Sequence, residues 1–340
     1  MSRTIRCSTA QLNIGVVLLN GQSFRWRRLP ETDPPVITGV ACNRVWKLQR
    51  PNPNEISFEV LARFPSAENT EDIAVLRDYF QLDVDLEALY AKWADIDPHF
   101  ETILKQHRDQ FEGVRILAQP LVETMFAFIC SANNNIKRIS NMVNTLAELY
   151  GDSVSIASTS GAIEPTETFY DFPSVDQLAV GLPTMEKVLR DRGFGYRAKY
   201  IAATVRKLSE VDGGFQTWAN DLKSADYSNA KATIKKLDGI GPKVADCICL
   251  MALGHHQVVP IDTHVFQITV QHYLPKLGKH KSVTDAVYRE MSEYYVEKFG
   301  THAGWAHSVL FSTRLKQFAT KPGVVEASVT KTIQKGRKKK

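Results

Sequence analysis

The chain is poor in cysteine, with five in 340 residues, at Cys7, Cys42, Cys130, Cys247 and Cys249. An odd, scattered set argues against a disulfide framework and for a reducing compartment. Cys247 and Cys249 are the one close pair, and no His or Cys cluster nearby completes four metal ligands. The four closely spaced cysteines that an iron–sulfur cluster requires are missing as well. No metal and no cofactor are therefore expected. Long apolar runs are also lacking. None approaches the roughly 18 residues of a membrane span, so no membrane association is expected, and no signal-peptide pattern opens the chain. A broad excess of charge is absent too. There are 42 basic residues against 37 acidic ones, and the surplus is Lys335, Arg337, Lys338, Lys339 and Lys340. Any nucleic-acid surface must then be a local patch and not a global field. The terminal run 326–340 reads as a basic, disordered tail, suited to nuclear import or loose DNA contact, or to nothing beyond solvation.

What remains is an ordinary globular composition with a clear change of period along the chain. Ile56, Phe58 and Val60 alternate with Ser57 and Glu59, as in a strand. The segment 45–49 reads as its antiparallel neighbour, with Pro51-Asn52-Pro53-Asn54 as the turn between them. From Ile73 the spacing becomes helical: Ile73, Leu76 and Phe80 share one face, and Leu86, Leu89 and Trp93 another. Pro120 suits a first helical position before the apolar run 121–129. Ile136, Ile139, Val143 and Leu146 mark the next helix. The polar stretch 151–168 reads as a surface loop, and Ser174 with Gln177 forms a capping-box pattern. The fold class is α+β. A small N-terminal antiparallel β-sheet lobe, 1–118 with its flanking helices, packs on a mainly α-helical body, 119–325.

The most informative segment is IKKLDGIGPKVADCICLMALGHHQVVPIDTH, residues 234–264. A helix over about 229–237 stops at Asp238-Gly239-Ile240-Gly241, and Pro242 starts another. Two glycines flanking one apolar residue between helices make a helix–hairpin–helix turn, whose freed amides at Gly239 and Gly241 suit a DNA phosphate. The plain alternative is a tight packing turn. Lys243 falls in the first turn of the second helix, where the helix dipole disfavours an ammonium. A neutral lysine amine is a nucleophile. Cys247, four residues on, shares its face. Asp262 follows an extended apolar run and precedes a helix carrying Val265 and Ile268. It can cap that helix, and with two oxygens it can also face the lysine.

At this point the sequence resembles the 8-oxoguanine DNA glycosylase/AP lyases of the helix–hairpin–helix glycosylase superfamily. The segments that carry the likeness are GQSFRWR (21–27), FICSANNNIKRI (128–139), GFGYRAKY (193–200), LDGIGPKVADCICLMAL (237–253), VPIDTH (259–264) and AGWAHSVLF (303–311). The resemblance implies base excision from double-stranded DNA containing oxidised guanine. The damaged nucleotide is flipped from the stack, Lys243 attacks C1′ of its sugar, and a Schiff base leads to β-elimination. Asp262 would stabilise developing positive charge. By the same likeness Gly21 offers the carbonyl that accepts the N7 hydrogen of 8-oxoguanine. Cys247 and Phe311 sandwich the ring, and Pro260 and His307 complete the pocket. Asn133, Arg138 and Arg197 pair with the cytosine left behind, Tyr196 fills the gap, and His264 contacts a phosphate. The family usually has glutamine where this chain has His307. A neutral imidazole presents one donor or acceptor in a given direction, and its charge changes near pH 6.5 in solution.

Two other readings stay open on sequence alone. One is a helix–hairpin–helix DNA-binding protein without catalysis, which leaves Lys243, Asp262 and the GQSF turn without a task. The other is a glycosylase for a different damaged base. A monomer is expected, in the nucleus, with the mitochondrion as a second compartment. The first acidic residue is Glu31, which suits an organellar leader, although GQSFRWR at 21 leaves little room for one.

Overall fold

The computed structural model describes residues 2–30, 32–156, 167–280 and 282–315. The expected basic tail 326–340 lies outside the described residues. The N-terminal lobe is built on five antiparallel strands: β1 (Arg3–Arg6), β2 (Trp26–Arg28), β3 (Val36–Ala41), β4 (Arg44–Asn52) and β5 (Glu55–Arg63), in the order β1-β5-β4-β3-β2. The short helix α1 (Ile14–Val17) joins β1 to the rest. The pairing of β4 with β5 sets Leu48 opposite Phe58, as the alternation predicts. Trp46, Leu48, Ile56 and Phe58 pack with Leu76, Tyr79 and Phe80 of the α2 segment (Asp72–Tyr79) in one apolar core.

The larger core belongs to helices. It gathers α3 (Leu86–Ile96), α4 (Pro98–Phe111), α5 (Leu121–Ser131) and α6 (Ile136–Tyr150) with all the helices that follow. On α6 the stripe Ile139, Met142, Val143 and Leu146 is buried, each side chain contributing about 1.5–3 kcal/mol of transfer free energy. After it come α7 (Val175–Val180), α8 (Leu182–Asp191), α9 (Arg197–Ser209), α10 (Phe215–Ser224) and α11 (Tyr227–Ile234). Then follow α12 (Pro242–Ala252), α13 (Thr263–His272), α14 (Asp285–Phe299) and α15 (Ala303–Ser312). The predicted Ser174–Gln177 capping box is present, with both reciprocal bonds formed. No helix among the described residues is long and apolar enough to cross a membrane.

Three expectations need correction. Pro120 is the N-cap of α5, not its first helical residue, because its ψ is 134°. The helix before the hairpin ends at Ile234, three residues early, and tight turns carry the chain to Asp238. The stretch 151–168 is not wholly loop. Its ends form β6 (Ser153–Ile156) and β7 (Glu167–Tyr170), an antiparallel ribbon whose inward residues Val154, Ile156 and Phe169 pack beside Val40 and Val45. The residues between them, 157–166, lie outside those described.

Candidate active site

The hairpin between α11 and α12 is shaped by its glycines. Gly239 has φ +78°, and a Cβ there would sit 2.8 Å from Cβ of Tyr200. Glycine is thus required both by the conformation and by the contact. Ile240 is buried and plugs the hairpin into the helical core, while Gly241 is exposed as the N-cap of α12. Helix α9 braces the turn from below: Thr204 Oγ1 donates to the Asp238 carbonyl at 3.0 Å, and Lys207 Nζ to the Lys236 carbonyl at 2.8 Å. The amides of Gly239 and Gly241 find no hydrogen-bond partner among the described residues, which leaves them free for an anion.

Lys243 occupies the first turn of α12, half-buried, with Nζ 5.2 Å from the centroid of the Phe128 ring. One turn on, Cys247 is fully buried. Burial pushes its thiol up to about 11, against the pull of the neighbouring Lys243 ammonium. Cys247 is therefore a neutral thiol and a polarisable wall, not a thiolate. Asp262 is the N-cap of α13, and its Oδ1 accepts from the amides of His264 and Val265, both at 2.9 Å. Its Oδ2 takes no hydrogen bond from a described residue.

These two residues line one cleft, of about 470 Å³ counting its open mouth, together with Gly21, Cys247, Pro260, His307 and Phe311. All seven pocket residues singled out in the sequence therefore meet. Gly21 adopts φ +88°, where a side chain would be strained and its Cβ would press on Ile136 at 3.2 Å. The turn is bolted down by buried Gln22. Its Nε2 donates to the Arg115 carbonyl, its Oε1 accepts from the Leu117 amide, and its own carbonyl accepts from Gln119. Gln22 was not singled out beforehand, nor were Phe128 and Met251, which also line the cleft. Gln22, Phe128 and Met251 each stand inside one of the motifs, so a signal for them was present.

His307 departs from its solution behaviour. It is 7% exposed, and neither ring nitrogen has a hydrogen-bond partner among the described residues. Burial lowers its pKa from 6.5 to about 4, against the opposing attraction of Asp262. The expected change of charge near pH 6.5 is thus overturned: the imidazole is neutral across the physiological range. Phe311 stands beside it at 6.1 Å between centroids and reaches the exposed His264 ring edge-on at 6.2 Å.

A second cluster forms at the turn between α5 and α6. Asn133 is exposed with φ +48°, and Asn135 caps α6. Tyr196 is 48% exposed, not a core aromatic, and its hydroxyl donates to the Ala132 carbonyl. Arg197 is buried beneath it, 4.6 Å from the Tyr196 ring, and its Nη2 donates to the carbonyls of Ala132 and Asn133. Arg138 is exposed and donates to the Gly193 carbonyl at 3.0 Å. Asn133, Arg138, Tyr196 and Arg197 thus share one patch. Tyr200 connects it to Gly239, packing edge-on against Tyr196 at 5.8 Å.

A basic amine and a carboxylate at two helix starts, beside a glycine hairpin with two free amides, fit the helix–hairpin–helix class of base-excision proteins. Residues 126–293 match the family described as HhH-GPD superfamily base excision DNA repair protein, and residues 4–125 that of the 8-oxoguanine DNA glycosylase N-terminal domain. The N-glycosylase/DNA lyase OGG1 of Arabidopsis thaliana is 33% identical over 312 residues, covering 92% of this chain and 80% of that protein. The N-glycosylase/DNA lyase of Saccharomyces cerevisiae is 32% identical over 352 residues, covering 96% and 88%. The Clostridium acetobutylicum 8-oxoguanine glycosylase/lyase, solved with double-stranded DNA containing cytosine opposite 8-oxoguanine, superimposes with a TM-score of 0.70. It is 26% identical, and the match covers 89% of this chain and 91% of that one. The chain belongs to the N-glycosylase/DNA lyase family.

Proposed function

We propose that this protein excises 8-oxoguanine, and ring-opened formamidopyrimidine guanine, from duplex DNA opposite cytosine, and then cuts the strand at the abasic site. The observation that carries this reading is the convergence of Lys243 and Asp262 on one cleft with Gly21, Cys247, Pro260, His307 and Phe311. The Lys243 nitrogen, through its lone pair, forms a bond to C1′ while the bond from C1′ to the base nitrogen breaks. The electron pair leaves with the base, which takes up a proton. Opening of the sugar ring gives a Schiff base. Loss of a C2′ proton then expels the 3′ phosphate. Asp262 Oδ2 offers negative charge where positive charge develops at the sugar. A DNA-binding scaffold without catalysis would leave this cleft without a purpose.

Damage is read where oxidation adds a hydrogen at N7. Gly21 is held by Gln22 so that its carbonyl meets that hydrogen, and undamaged guanine leaves this acceptor unpaired, a penalty of about 1–3 kcal/mol. Tyr196 enters the gap in the stack, and the amides of Gly239 and Gly241, with His264, take backbone phosphates. Asn133, Arg138 and Arg197 read the unpaired cytosine. The protein acts as a monomer in the nucleus on this reading. The test is incubation with duplex DNA carrying a single 8-oxoguanine opposite cytosine, with borohydride present. A covalent adduct on damaged and not on undamaged duplex is the expected result, and its absence would refute the reading.

His307 gives a finer prediction. An amide offers a donor and an acceptor side by side, whereas the neutral imidazole offers one of the two. His307→Gln is expected to tighten binding to 8-oxoguanine DNA by about 0.5–1.5 kcal/mol. Because the folded pKa lies near 4, the excision profile between pH 5.5 and 7.5 should keep its shape. Stability should respond instead. The histidine's folded pKa lies below its unfolded one, so its neutral burial stabilises fully above pH 6.5 and is lost as pH falls towards 4. Wild type should therefore lose stability relative to His307→Gln over that window, by on the order of 2–3 kcal/mol. Parallel melting curves of the two proteins between pH 7 and 4.5 would rule this out.

A further inference from the structure

One buried charge is left unused by this mechanism. Asp246 is wholly buried on α12, three residues after Lys243 and next to Cys247. Its Oδ1 accepts from the Tyr227 hydroxyl at 2.9 Å and lies 2.9 Å from Lys231 Nζ, both on α11. Its Oδ2 accepts from the Tyr288 hydroxyl of α14. The Tyr288 oxygen in turn accepts from the Ile261 amide at 3.2 Å. Ile261 is the residue between Pro260 and Asp262.

Residues 259–262 lie in no helix or strand, and no strand pairs with them among the described residues. Their backbone is not held by a sheet ladder. At the amide of Ile261 it is held by a phenol anchored on the helix that carries Lys243. Burial, and next the Asp246 carboxylate, hold the Tyr288 hydroxyl above its ordinary pKa, so it stays a donor to that carboxylate. The Lys231 ammonium lies 5.2 Å from the Tyr227 ring and 5.1 Å from the Tyr288 ring, which encloses the charge pair in aromatic surface. A buried ion pair of this kind contributes little net stability compared with apolar packing, while it fixes geometry closely.

We infer that Tyr288, oriented by Asp246, is a positioning residue that sets Asp262 and Pro260 relative to Lys243. This rests on the functional reading above. A displacement of the Asp262 segment by a fraction of an ångström to an ångström weakens its charge stabilisation at the sugar without touching the hairpin or the opposite-base patch. Tyr288→Phe deletes both hydrogen bonds while keeping the ring.

The test is single-turnover excision of 8-oxoguanine opposite cytosine with enzyme in excess, rates being normalised to the fraction of molecules that borohydride traps. Tyr288→Phe should be slowed on the order of tenfold to a hundredfold, with lesion affinity little changed. In an Asp262→Asn background the same substitution should cost almost nothing further, because the two act as one unit. Tyr227→Phe, which takes a hydroxyl from the same carboxylate but does not reach Ile261, should excise at close to the wild-type rate. Full-rate excision by Tyr288→Phe, additive losses in the double variant, or an equal loss in Tyr227→Phe would each overturn the inference. If Tyr288→Phe is too unstable to assay, Asp246→Asn combined with Lys231→Met removes the orienting charge and keeps an acceptor, and it must show the same Asp262-dependent loss. Wild-type protein that fails to excise 8-oxoguanine would defeat the functional reading itself, whereas an active wild type with a full-rate variant defeats only the role of Tyr288.

Discussion

Lys243→Gln is expected to lose borohydride trapping altogether while still binding 8-oxoguanine DNA. Glutamine retains much of the aliphatic stem that carries the polar end towards the Phe128 ring and Cys247, so the first turn of α12 should stay folded. The amide nitrogen has no available lone pair and cannot form the bond to C1′. No Schiff base can then arise, and β-elimination has no route through the protein. Excision should fall on the order of 10⁴-fold or more, the scale on which loss of a covalent nucleophile is felt. On the proposed reading, binding draws on other residues: the Gly21 carbonyl, the hairpin amides and the patch around Asn133. A dissociation constant within a few-fold of wild type, measured by gel shift on damaged duplex, is therefore the companion result. Trapping at wild-type yield by this variant would transfer the nucleophile to another amine, and Lys243 would revert to a first-turn surface residue.

The parts of the site that could be read in the sequence were those with local causes. Pro242 restarts a helix and Asp262 caps one because proline's φ and a carboxylate's acceptors act within a turn, and both appear where expected. The meeting of Gly21 with Lys243, more than two hundred residues apart, has no local cause. Only the likeness of separated motifs pointed to it. Strands β1, β2 and β3 escaped periodicity for identifiable reasons. β1 is four residues rich in arginine, β2 is three residues long, and β3 is buried at every position and so does not alternate. The ribbon β6–β7 hid in polar composition, since half of each short strand faces solvent. The charge of His307 was misjudged because burial is a tertiary property, and residue type reports only the solution pKa. Asp246 is the reverse case. An acid inside the apolar run 244–253 was a visible anomaly, and its explanation required the positions of Tyr227, Lys231 and Tyr288.

Asp262→Asn separates the two tasks of one side chain. Both capping bonds end on Oδ1, from the amides of His264 and Val265. Asparagine can supply the same oxygen and ranks with aspartate as a cap. What the variant removes is the charge. At the start of α13 that charge is worth about 0.3–1 kcal/mol against the helix dipole, so the melting temperature should move by a few degrees at most. On the proposed reading the same charge faces an oxocarbenium-like centre at the sugar, inside a cleft walled by Phe128, Met251 and Phe311, where water screens it poorly. Loss of one preorganised electrostatic stabiliser in such a setting costs on the order of 10²–10³-fold in rate. Asp262→Ala provides the contrast, since it removes cap and charge together and should lose about 1 kcal/mol of stability as well. The decisive comparison is thus between rate and melting temperature across the pair. If asparagine excises at the wild-type rate and only alanine is impaired, in step with its stability, Asp262 is a helix cap and its charge does not serve the sugar.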